Sequence, residues 1–90
     1  MAELKETLKI KNKKGLHARA AAAFVKTVEP FEVVCEVEKG GQCVDGCSIM
    51  GLMMLAASQG TEVIVKIKGK DASSAMKALK RLIEDKFGEE

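Results

Sequence analysis

Three stretches of the chain alternate apolar and polar residues with a period of two, and each leaves one face polar. In LKETLKIK, Leu4, Leu8 and Ile10 fall on one side and Lys5, Thr7, Lys9 and Lys11 on the other. FEVVCEVEK groups Val33, Cys35 and Val37 opposite Glu32, Val34, Glu36 and Glu38. TEVIVKIK aligns Val63, Val65 and Ile67. Strands of this kind bury one face and wet the other, which is the habit of an antiparallel sheet covered on one side only. Gly40-Gly41 supplies a two-residue hairpin turn, since both positions tolerate positive φ. The turn pairs Lys39 with Gln42, Glu38 with Cys43 and Val37 with Val44, sending Cys35 to the core and Cys43 to the wetter face.

Between these stretches the period lengthens to that of a helix. From His17 to Val28, the residues Ala20, Ala21, Phe24 and Val28 recur at three- and four-residue spacing, with Arg19 and Lys26 off the stripe. Pro30 forbids continuation. DGCSIMGLMMLAASQG reads as a turn, a short apolar helix from Ser48 to Ala56 and a stop at Gly60. The last segment has Asp71 as its expected N-cap and an apolar stripe of Ala72, Ala75, Met76, Leu79, Leu82, Ile83 and Phe87, with Gly88 ending the helix. The order β-α-β-β-α-β-α predicts an α+β open-faced sandwich, one antiparallel sheet under helices, with residues 1–90 as a single domain. The pattern does not fix the strand order.

A chain of 90 residues holds one modest core without needing a disulfide or metal staple. With three Phe and no Trp or Tyr, that core must be aliphatic. The 15 basic and 13 acidic residues are too balanced to imply a nucleic-acid partner. The same strand and helix order occurs in RNA-binding sheets, but those need stacking aromatics on their central strands, and QCVDG and LKETLKIK have none. No apolar run approaches the ~18 residues that span a bilayer. MAELKETLKIKNK lacks the apolar stretch of a signal peptide, so a cytoplasmic location with no membrane partner is expected. The odd number of cysteines, Cys35, Cys43 and Cys47, fits free thiols in a reducing compartment. A zinc module drawn from these and His17 lacks the usual ligand spacing, so no metal or other cofactor is expected.

His17 is the only histidine, and it stands directly before a run of small residues. A lone histidine near a helix start is usually a polar cap or a surface residue. Here Gly15 offers a turn, and the first N–H groups of the helix have no internal partners. With the positive end of the helix dipole they make an anion site. The backbone N–H groups of Ala18 and Arg19, together with the Arg19 guanidinium, suit a phosphate. A neutral imidazole is a nucleophile. Such parts fit a side chain that accepts a phosphoryl group and releases it.

These residues carry a family resemblance. GLHARAA, Gly15 to Ala21, with SIMGLMML, Ser48 to Leu55, closely resembles the HPr family, the histidine-containing phosphocarriers of the bacterial sugar phosphotransferase system. The resemblance implies a four-stranded antiparallel sheet with three helices on one face. It implies that His17, at Nδ1, takes a phosphoryl group from enzyme I and passes it to enzyme IIA proteins, with Arg19 as companion. The chain would then be a monomeric carrier and not an enzyme acting alone. An HPr-like protein of a regulatory phosphorelay is the alternative. The family usually has proline directly after the arginine, where this chain has Ala20, which restores an N–H and loosens the start of the helix.

Ser48 is a good N-cap on its own terms. The resemblance adds that this position is the family's regulatory serine, the target of HPr kinase/phosphorylase in lineages that have it. The helix it opens has more apolar residues than one face can bury. Ile49, Met50 and Met53 are expected at a docking surface for enzyme I and the IIA proteins, and Leu52 and Leu55 in the core.

Overall fold

Four antiparallel strands form one sheet in the order β1-β4-β2-β3. They are β1 (Glu3–Lys9), β2 (Val33–Lys39), β3 (Gln42–Asp45) and β4 (Glu62–Gly69). The structure, a computed structural model, describes residues 3–89, and Met1, Ala2 and Glu90 lie outside the described residues. The hairpin has the predicted register, with Lys39 opposite Gln42, Glu38 opposite Cys43 and Val37 opposite Val44. The two outer strands of the sequence, β1 and β4, pair along their length from Glu3–Lys68 to Lys9–Glu62. Strand β4 also pairs β2, with Cys35 opposite Ile67 and Val37 opposite Val65. This central position of β4 is the part of the topology that alternation alone leaves open.

Three helices cover one face: α1 (Ala18–Val28), α2 (Ile49–Met54) and α3 (Ala72–Glu84). Beneath them Val37, Val63, Val65, Ile67, Phe24, Leu52 and Leu79 are buried, and Cys35 joins them. Burial pushes the Cys35 thiol up to about 12, helped by the nearby Cys47, Asp45 and Glu36, so it is an inert packing group. The uncovered face carries charge, including the Lys66–Glu38 pair at 2.8 Å. The α+β open-faced sandwich is the observed fold.

Three local readings change. The second helix spans only Ile49–Met54, with Ser48 its N-cap and Leu55 its C-cap. It stops because Ala56 takes a left-handed φ of 51°. The third helix ends at Glu84, before Gly88, because Lys86 and Phe87 also adopt positive φ, at 54° and 56°, in a 3₁₀ turn over Lys86–Gly88. Phe87 stays buried in that turn, so its apolar role survives the break in the helix. Asp71 sits at the N-cap of α3 but makes no cap bond. Its carboxylate instead accepts the Glu32 N–H at 2.8 Å, tying α3 to the chain before β2.

Candidate functional site

The start of α1 is shaped by Gly15. Its φ is +67°, and a Cβ there would lie 2.4 Å from the Ala57 carbonyl oxygen, so only glycine passes. The tight approach lets the Leu16 N–H donate to Ala57 O at 2.9 Å. Leu16 is buried, which anchors the residue before the histidine. His17 follows as N-cap, with extended backbone (φ −82°, ψ −178°) and no cap bond from its side chain. Its carbonyl accepts the Ala21 N–H at 2.8 Å, starting the helix.

The imidazole is about a quarter exposed, at 27% of its side-chain surface. Among the described residues, the N–H groups of Ala18 and Arg19 have no acceptor, as expected for the first turn. Ala18 and Arg19 are both exposed, and Ala20 and Ala21 are fully buried. No acidic residue of α1 itself lies in its first turn. Arg19 lines a recess of about 430 Å³ with Lys13, Lys14, Phe87, Gly88 and Glu89. On another side, His17 joins Lys14, Leu16, Ala56, Ala57 and Ser58 around a shallower hollow of about 220 Å³. Lys14 borders both hollows, so it and Arg19 bring positive charge to the surface around this helix start, which favours an anion there.

Two residues at this site have no sequence signature. The His17 Nε2–H donates to the Glu89 carboxylate, whose other oxygen accepts the Asn12 Nδ2–H at 2.9 Å. Asn12 is fully buried and also donates to Gly15 O at 2.9 Å. Burial alone would raise the Glu89 carboxyl. The hydrogen bonds from Asn12 and His17, with the charges of His17 and Lys14, outweigh it and hold the group below the ordinary carboxylate value. The two acceptors facing Asn12 Nδ2 fix the amide's orientation, since a flip would set oxygen against oxygen. Among the described residues, its buried Oδ1 has no protein donor.

The second candidate site lies on α2, which packs against α1. Ser48 Oγ accepts the Gly51 N–H at 2.9 Å, the predicted cap. Leu52 and Leu55 are buried as expected, and Ile49, Met50 and Met53 are exposed, Met50 at 70%. Met54 is exposed too, at 65%, and extends the patch beyond the residues the pattern singled out. Cys47, beside Ser48, is exposed, but partial burial together with Asp45 and Glu29 raises its thiol. Among the described residues, no three histidine, cysteine or acidic side chains converge as metal ligands.

A partly exposed imidazole at an open helix start, on a βαββαβα sandwich, is the arrangement of a histidine phosphocarrier. The family model described as the PTS HPr component phosphorylation site matches residues 4–85, and the chain belongs to the HPr family of the phosphotransferase system. The phosphocarrier protein HPr of Xylella fastidiosa is 46% identical over 87 residues, covering 97% of this chain and 98% of its own. A crystal structure of HPr from Thermoanaerobacter tengcongensis is similar at a TM-score of 0.90 and 51% identity, over 100% of this chain and 99% of that one. An HPr dimer from the same organism matches at 0.77 and 50% identity, over 99% and 100%.

Proposed function

We propose that His17 is the phosphoacceptor of this phosphocarrier, taking its phosphoryl group from phosphorylated enzyme I and passing it to enzyme IIA proteins. The observation that carries this is the helix start itself, where a partly exposed ring precedes two N–H groups and an exposed Arg19 that have no partner among the described residues. Phosphoryl transfer requires alignment and charge stabilisation more than covalent machinery. Arg19 and the N–H groups of Ala18 and Arg19 would hold the three phosphoryl oxygens. The exposed Ile49, Met50 and Met53, with Met54, form an adaptable apolar surface on α2, which packs against α1, and both donor and acceptor proteins would dock there.

Ser48 is proposed as a regulatory position, modified by HPr kinase/phosphorylase where the cell has it. A phosphoryl dianion there is favourable to the helix start, and it places negative charge at the edge of the docking patch. The protein is read as one HPr-like domain, monomeric and cytoplasmic, acting stoichiometrically and not as an enzyme. Among the described residues, no helix is long and apolar enough to cross a membrane.

The test is direct. Incubation with enzyme I, phosphoenolpyruvate and Mg²⁺ should add one phosphoryl mass, acid-labile and absent from His17→Ala. Transfer onward to a sugar-specific IIA protein supports the transport branch, and transfer only to regulatory acceptors supports a regulatory relay. Failure to form the adduct with a competent enzyme I refutes the carrier role of His17.

A further inference from the structure

The last turn of the chain is built to set a carboxylate against the histidine ring. Phe87 is buried, and the turn is closed by the Gly88 N–H to Asp85 O at 2.9 Å and the Glu89 N–H to Lys86 O at 3.1 Å. Lys11 Nζ meets Glu84 Oε2 at 2.7 Å and holds the end of α3 beside the loop that carries Asn12. Glu89 is thus delivered to His17 from 72 residues away by an anchored segment. Its side chain is only 14% exposed.

An ionised carboxylate can only accept, so Nε2 of the ring carries the hydrogen and, in the neutral ring, Nδ1 carries the lone pair. Among the described residues, Nδ1 has no partner. We propose that Glu89, steadied by Asn12, is a positioning residue that fixes His17 as the Nε2–H tautomer with Nδ1 presented as nucleophile. The inference deepens the phosphocarrier reading of His17 and rests on it. In the step, the Nδ1 lone pair attacks the phosphorus of a phosphorylated partner protein. The P–Nδ1 bond forms, the donor–phosphorus bond breaks, and its electron pair leaves with the donor. The Nε2 proton stays, so the product ring is cationic, and Glu89 lies against that charge. The same hydrogen-bond logic orients imidazoles wherever a carboxylate holds the far nitrogen.

The full-length protein, labelled with ¹⁵N-histidine, is examined by NMR at a pH where the ring is neutral. A low-field N–H proton coupled to Nε2 is expected in the wild type and in Glu89→Gln, which keeps an acceptor, and should be lost in Glu89→Ala. Phosphoryl uptake from phosphorylated enzyme I should slow about tenfold in Glu89→Ala, with partial rescue in Glu89→Gln. Glu6→Ala, which removes only the surface pair with Lys80 at 3.0 Å, should change neither reading. The proposal is overturned if the resonance persists in Glu89→Ala or if uptake stays within about twofold of wild type. A wild-type protein that takes up no phosphoryl group overturns the carrier reading itself. The resonance needs no phosphoryl donor, so it separates that failure from failure of the Glu89 contact.

Discussion

The starts of α1 and α2, two helices packed against each other, are built in opposite ways. At α2 the Ser48 hydroxyl accepts the Gly51 N–H at 2.9 Å, and the end is closed. At α1 the N-cap position is held by His17, whose side chain turns to Glu89 and leaves the first N–H groups unanswered. A serine, threonine, aspartate or asparagine in place of His17 would be the stabilising choice, typically by about 1 kcal/mol. On the proposed function, the chain forgoes that stability where His17 would receive a phosphoryl group and keeps it at Ser48. Withholding a cap is what would make such a helix start an anion site.

The largest predicted effect breaks the open start from below. Gly15→Ala must accept a φ of +67° and a Cβ 2.4 Å from a backbone oxygen, so the Leu16–Ala57 connection has to move. We expect a loss of about 2–4 kcal/mol in urea unfolding, together with impaired phosphoryl uptake. A wild-type midpoint would mean that the open start does not depend on this contact.

The next prediction exchanges the two designs. Ser48→Ala should cost about 1 kcal/mol, and His17→Ser should exceed His17→Ala in stability by about the same amount. Both His17 variants lack the ring and its bond to Glu89, so their difference isolates the missing cap. Neither should accept a phosphoryl group at this position. Equal stabilities of His17→Ser and His17→Ala would show that the α1 donors are already satisfied in solution.

What could be read in advance divides along the same line. Strand alternation carries its own register, so the hairpin pairing of Val37 with Val44 and the burial of Cys35 follow from local pattern. The Ser48 cap and the His17 position were also legible, because caps depend on residues a few places apart. Helix ends were less so. Ala56, Lys86 and Phe87 take left-handed backbone without glycine to announce it. The contact of Asn12 with Glu89 joins residues 77 apart, and neither residue type distinguishes it from the polar loop and charged tail around it. Asp71 shows the reverse error, a residue with the right cap chemistry that spends its carboxylate on Glu32.

A smaller effect sharpens the comparison at the wall of the His17 hollow. Ala56 is exposed and holds φ at 51°, a region that disfavours any Cβ. Ala56→Gly relieves that strain but loosens the unfolded chain, so a net gain of about 0.5 kcal/mol is expected. A loss in thermal unfolding would mean that the entropy of the unfolded glycine outweighs the strain.

The last prediction distinguishes the two starts by the charge on what holds them. Glu89 is ionised more readily in the folded protein than a free glutamate, whose carboxyl titrates near 4.5. A carboxyl lowered on folding contributes stability that is present above its unfolded value and is lost as pH falls through the folded one. Glu89→Gln should therefore be less stable than wild type at pH 7, and the gap should close on acidification below 4.5. The deficit of Ser48→Ala should not change over that range, because a neutral hydroxyl has no proton to gain. Denaturant unfolding of wild type and both variants at several pH values reads both slopes. A Glu89→Gln gap as flat as that of Ser48→Ala would reduce Glu89 to an ordinary packing contact, and the contrast between the open and closed starts would then rest on the cap alone.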